Sequence, residues 1–124
     1  MDPSGVNSGG GIFAAGVTTY GLAEAIINFS SSGNNTIVVG VIYKLIRVYK
    51  IFFIVGAATN ITPQDGASTA LTGPMDFSAN EGMVLDFDDV AWYTLSFGND
   101  FVINSSNAVQ VSGRVYYTQG AQGP

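Results

Sequence analysis

Residues 37 to 58 read IVVGVIYKLIRVYKIFFIVGAA, an apolar stretch broken only by Lys44, Arg47 and Lys50. Whatever this stretch becomes decides the fold. A membrane helix needs about 20 mainly apolar residues, and a cation near its middle costs several kcal/mol. Here the cations occupy the middle, so a span is rejected. A helix would gather the three cations on one face, because they are spaced at three. Composition opposes it: Ile, Val, Tyr and Phe dominate, and such side chains lose rotamer freedom against a helical turn but suit a pleated sheet. From Ile46 to Tyr49 the order is apolar, cationic, apolar, aromatic, which fits a period of two. Two strands are expected, at residues 36–41 and 45–58, with a turn near 41–44. Lys50 breaks the alternation and marks a bulge or a snorkelling stem.

The remainder carries the same rhythm. Residues 31–35, SSGNN, form a turn by composition, and residues 60–62 end a strand before a loop at 63–67. Short strands are expected at 75–77, 83–87, 91–97 and 100–103. The cleanest alternation is AVQVSGRVYY at 108–117, where Val109, Val111, Gly113, Val115 and Tyr117 share one face. Residues 22–27 are compatible with a short helix, but their flanks favour extended chain. Strands separated by Gly, Asn, Asp and Pro turns every eight to twelve residues indicate an all-β sandwich or barrel. The expected organisation is a flexible arm at 1–30 that carries one or two strands, a sandwich at 31–118 and a loose tail at 119–124.

Bulk numbers exclude several functions. The chain has 124 residues and a net charge of −5, with 47% hydrophobic and 10% charged residues. One domain with its own core is expected. Nucleic-acid binding needs a dense cationic footprint, which an acidic chain lacks. With no cysteine and no histidine, there is no thiol chemistry, no disulfide framework and no imidazole base or ligand. The opening MDPSGVNSGGGIF shows no basic segment leading into an apolar one, so no secretory signal is expected. Its glycines have no following lysine and are no phosphate loop.

Few residues suggest chemistry. Asp86, Asp88 and Asp89 could gather a hard cation, but the spacing is no EF-hand loop and a solvated acidic turn is the expectation. Asp76, Glu81 or Asp100 could pair with one of these as acid and base for glycoside hydrolysis, as could nearly any carboxylates in a β-protein. Trp92, the single tryptophan, is expected in the core or a subunit contact rather than stacking on a sugar. Four Asn-x-Ser/Thr triplets, at Asn28, Asn34, Asn60 and Asn104, are expected to be coincidental. The charges are segregated: three of four cations lie in 44–50, while acids concentrate in 76–100. This layout suits a contact between chains or a cross-strand pairing within one.

Four segments carry a family likeness: NNTIVVG (34–40), KLIRVYKIFFIVGAATNIT (44–62), STALTGPMDFSANEGMVLDF (68–87) and WYTLSFGNDFVINSSNAVQVSGRVYY (92–117). Together they resemble small structural proteins of tailed-bacteriophage particles. The pattern is an Asn-Thr-Ile-Val strand, a Lys-x-Ile-Arg-Val strand, an Ala-Leu-Thr-Gly-Pro-Met turn, a Trp-centred strand and a closing Val-x-Gly-x-Val-Tyr strand. Tyr43 stands where such proteins turn with Gly, and the acids of 86–89 are an addition. The resemblance implies an antiparallel, jelly-roll-like β-sandwich that decorates the capsid or belongs to the tail apparatus, and it implies no catalytic residues.

The resulting expectation is a non-enzymatic virion protein without cofactor or metal, made in the host cytoplasm and seated on the capsid surface. It would act as a decoration or cement protein, as a small homo-oligomer, preferably a trimer, bound to the major capsid protein. A tail knob, adaptor or fibre-base subunit is the alternative, and a carbohydrate-binding or hydrolytic sandwich is the rival from another class. Expected partner contacts are Ile12, Phe13, Tyr20, Ile26, Ile27, Lys44, Arg47 and Lys50. Residues 12–30 would lie against an adjacent subunit or the shell, ordering on contact.

Overall fold

A computed structural model describes residues 21–121 of the chain. In chain order the strands are β1 (Ala23–Phe29), β2 (Gly33–Val38), β3 (Leu45–Val55), β4 (Thr59–Asp65) and β5 (Thr69–Ala70). They are followed by β6 (Met75–Phe77), β7 (Gly82–Leu85), β8 (Tyr93–Thr94), β9 (Phe101–Ser105) and β10 (Val111–Gly120). No α-helix occurs among the described residues. One sheet runs β1-β10-β3-β7, with β8 also on β3; the other runs β2-β9-β4-β5, with β6 also on β4. Every pairing is antiparallel. The last strand thus lies between the first and third, and the first three strands alternate between sheets. That order, with the second sheet's edge split into β5 and β6 and the first's into β7 and β8, is the two-sheet jelly roll.

Between the sheets lie Ile27, Val38, Ile46, Val48, Ile51, Phe53, Val55, Ile61, Leu95, Phe101, Ile103, Val111 and Val115, all buried. In β3 the inward residues are Ile46 and Val48, then Ile51, Phe53 and Val55. A regular strand buries only one parity, so the chain must skip a residue. It does so at Tyr49: Tyr116 faces Lys50 while Tyr117 faces Val48. The expected bulge is therefore present, one residue before Lys50, and it returns the second half of the stretch to the core.

Several expected boundaries move. β1 is extended, as its flanks suggested, but it belongs to the sandwich rather than to an arm, because Ile27 packs in the core and the strand pairs along its length with β10. The tail's first two residues also belong to the sheet, as Gln119 and Gly120 face Ile46 and Leu45. β2 begins at Gly33, inside the expected turn, and ends at Val38; β4 runs on to Asp65 through the expected loop. Of the expected strand at 91–97, Tyr93–Thr94 pairs with β3, and the flanking Trp92 and Leu95 amides donate to the Val48 and Ile46 carbonyls.

Gly113 is where two strands approach too closely for a side chain. A Cβ there would lie 1.9 Å from the carbonyl oxygen of Phe52. Burial also pushes the Tyr93 hydroxyl above its ordinary pKa, where its ring stacks on Phe101 with centroids 6.2 Å apart.

Two outcomes follow from this packing. Gly113→Ala should lower stability by about 1–3 kcal/mol in chemical denaturation, since backbone must shift, whereas inserting an alanine between Ile51 and Phe52 should abolish folding by turning Phe53 and Val55 outward. For Tyr93 the folded pKa is raised, so its contribution is complete below about pH 10 and is lost as pH rises through the folded value. Melting temperatures should fall in that alkaline range, and Tyr93→Phe should lessen the fall.

Candidate functional site

The three cations do not form one patch. Three residues of extended chain cover about 10 Å, so they are strung out beside and along β3. Lys44 sits in the exposed turn before the strand. Arg47 stands in the strand between Thr94 and Thr118. Lys50 lies 3.6 Å from Asp86 and 5.4 Å from the centroid of Tyr116. For Lys50 and Asp86, then, the opposed charges meet within one chain. Ile12, Phe13 and Tyr20 lie outside the described residues. Ile27, expected at a partner contact, instead faces the core opposite Gly113 at 1% exposure. Its neighbour Ile26 points the other way and is 65% exposed.

The outer faces of the two sheets differ. On the second sheet, Asn104 stands between Asn34 and Thr62, and its side-chain Nδ2 donates to Asn34 Oδ1 at 2.8 Å. That face is a polar ladder. On the first sheet, Ile26, Arg114, Phe52 and Val84 form one row across four strands. Asn28, Ser112, Ile54 and Gly82 form the next row. Phe52, Ile54 and Val84 are exposed around a shallow depression completed by Gly82, Met83 and Ser112. Arg114 donates to Glu24 at its border.

A second apolar feature is the apex formed by residues 39–44 and 96–98. Ile42 and Tyr43 are 71% and 79% exposed, with Val39, Val41 and Phe97 also exposed. Tyr43 has a φ of 65°, uncommon for a bulky residue. The apex is braced from beneath. The Gly98 amide donates to the Lys44 carbonyl at 2.8 Å, and the Gly40 amide to Asp100 Oδ1 at 2.6 Å. Asp65, largely buried, accepts from the Ser96 amide at 3.0 Å, the Ser96 hydroxyl at 2.9 Å and the Asn99 side-chain amide at 2.9 Å. Gly40 must lack a side chain, since a Cβ would fall 2.2 Å from the Gly98 carbonyl oxygen. Sequence reasoning placed a turn here but missed its exposure. The signal was its composition, Val-Ile-Tyr where turns carry Gly, Asn or Asp.

The acidic segment crosses the β3 bulge. β7 pairs with β3 after the bulge and β8 before it, and residues 86–92 bridge the gap. Phe87 covers Tyr49 with ring centroids 6.2 Å apart. The Trp92 indole donates to the Asp86 carbonyl at 2.8 Å and remains half exposed, outside the core. Asp86 and Asp88 accept from the Phe87 and Val90 amides, and no three acidic side chains converge among the described residues. No helix among the described residues is long and apolar enough to cross a membrane.

Comparison with protein-family models, with curated proteins and with solved structures finds no match. The likeness to phage structural proteins therefore rests on the quoted motifs alone.

Asp65 and Asp86 separate a brace from a surface charge. Asp65→Ala should cost about 3 kcal/mol or more, because the amide and hydroxyl donors it satisfies lose a charged acceptor. Asp86→Asn should cost less than about 1 kcal/mol, as exposed ion pairs do. Chemical denaturation of the two variants measures both.

Proposed function

We propose that the protein is a non-enzymatic structural component of a phage virion, a capsid decoration protein that binds across seams of the major capsid protein as a small oligomer, preferably a trimer. The observation that carries this reading is the braced apolar apex. Exposed apolar groups on a rigid support mark a contact surface, because they gain from burial while little ordering entropy is lost. Ile42, Tyr43 and Phe97 supply the apolar anchor, and Lys44 beside them supplies a charge at its rim. The jelly-roll order supports the reading by analogy, since viral capsid domains are among the proteins built this way. A ligand that recognises only the assembled shell stabilises that shell by its own binding energy. Attachment to the tail apparatus would use the same apex.

Trp92 supports a second reading. Its half-exposed ring beside Asp86, Asp88 and Asp89 has the composition of a sugar-binding platform, and lectins share the jelly-roll order.

Purified protein mixed with particles that lack it should cosediment with them and raise their disruption temperature. Ile42→Asp should weaken that binding about tenfold or more while leaving the melting temperature of the free protein within a few degrees. Imaging of labelled particles should place it on the head. Absence of particle binding, together with a change in Trp92 fluorescence on adding oligosaccharides, would favour the second reading.

A further inference from the structure

A two-sheet sandwich has strand edges, and among the described residues only one of them is unbroken. In the second sheet the β2–β9 ladder shifts register between Phe101 and Val102, and the far edge is divided into β5 and β6. In the first sheet the far edge is divided into β7 and β8. β1 differs. It pairs with β10 over all 7 of its residues without a shift, and among the described residues nothing pairs with its other side. It holds no proline, lysine or bulge, features that keep an edge from recruiting another chain, and its one charge, Glu24, is engaged by Arg114 of its own sheet. We propose that a second copy of the protein pairs antiparallel with β1 across a two-fold axis at Ile26, continuing the first sheet from one subunit into the next.

The strand is complementary to itself in that arrangement. Ile26 is its middle residue, so the axis sets it against its own copy, Ala25 against Ile27, Glu24 against Asn28 and Ala23 against Phe29. On the inner side each alanine meets a large residue, and Phe29, only partly buried within one copy, gains cover. On the outer side two isoleucines, each 65% exposed, meet at the axis. Asn28 Oδ1 already accepts from Gln110 Nε2 at 2.8 Å, which leaves its Nδ2 as a donor. Arg114 donates to Glu24 Oε1, which leaves Oε2 as an acceptor for that amide from the other copy. No like charges oppose one another across the pair. An axis on a residue preserves parity, so each outward N–H faces an outward C=O, and strand addition supplies main-chain hydrogen bonds as well as side-chain contacts. A two-fold contact of this kind is closed and makes a dimer. It is independent of the apex and of any role in a virion; within that role it replaces the three-fold oligomer by a two-fold one.

Light scattering on the full chain should give twice the mass of one chain, falling on dilution. Ile26→Glu places two carboxylates at the axis, while within each copy it stands beside Arg114. It should weaken self-association about tenfold or more and leave the circular dichroism spectrum unchanged. An equimolar mixture of Ile26→Glu and Ile26→Lys should recover the dimer mass, because opposite charges then meet. Since the chain has no cysteine, Ile26→Cys should oxidise to a disulfide-linked dimer several-fold faster than Ser68→Cys, whose site is the exposed turn between β4 and β5. The mass of a single chain at the highest soluble concentration would overturn the proposal, as would equal oxidation rates for the two cysteine variants. A three-fold mass that Ile26→Glu leaves intact would overturn it while keeping the trimer.

Discussion

One extra residue in β3 holds the sandwich together. The strand is long enough to need burial along its whole length, yet its apolar residues fall on two parities, Ile46 and Val48 against Ile51, Phe53 and Val55. The bulge at Tyr49 reconciles them. It also divides the strand's far edge, so that β7 pairs beyond it and β8 before it. The connecting segment must then pass over the irregularity, which places Phe87 on Tyr49 and Asp86 beside Lys50. Features that look unrelated in sequence, a misplaced lysine and an acidic run, are two sides of one departure from alternation. Bulges elsewhere likewise bend and re-aim the strands that carry them.

Polar side chains fix the two ends of the sandwich. At the apex, Asp65 and Asp100 accept hydrogen bonds from Ser96, Asn99 and Gly40. At the start of β4, the buried hydroxyls of Thr59 and Ser105 lie 2.8 Å apart, and Thr59 also accepts from the Asn107 amide. Such satisfied buried groups specify a geometry more than they add net stability. They let an apolar loop stand away from the core without collapsing onto it. Asp100, a possible acid or base by sequence, here accepts from the Gly40 amide.

Sheet class and the central strand were legible because β-branched residues and period-two alternation are local signals, as in Ile46–Tyr49 and Val111–Val115. The edge strands were less so. β1 alternates Glu24, Ile26 and Asn28 outward against Ala25, Ile27 and Phe29 inward, but an outward isoleucine blurs that pattern, and its pairing partner lies at the other end of the chain. Of the expected contacts, Ile26 and Lys44 are exposed, Ile27 is buried, and Lys50 is held beside Asp86. Spacing in sequence could not separate these fates, because the direction of each side chain depends on the bulge and on register with distant strands. The apex escaped notice because its exposure follows from a brace whose members come from three separate segments.

β10 is the last of the described strands and lies between β1 and β3. The first sheet therefore cannot assemble in order as the polypeptide leaves the ribosome. Until residues 111–120 emerge, β1 has no neighbour in its sheet and one edge of β3 lacks the strand that joins them. Closure of such distant pairings is slow relative to helical folds of similar size. Nascent chains would then carry exposed strand edges for most of their synthesis, and a ribosome stalled before Val111 would hold an unclosed sandwich.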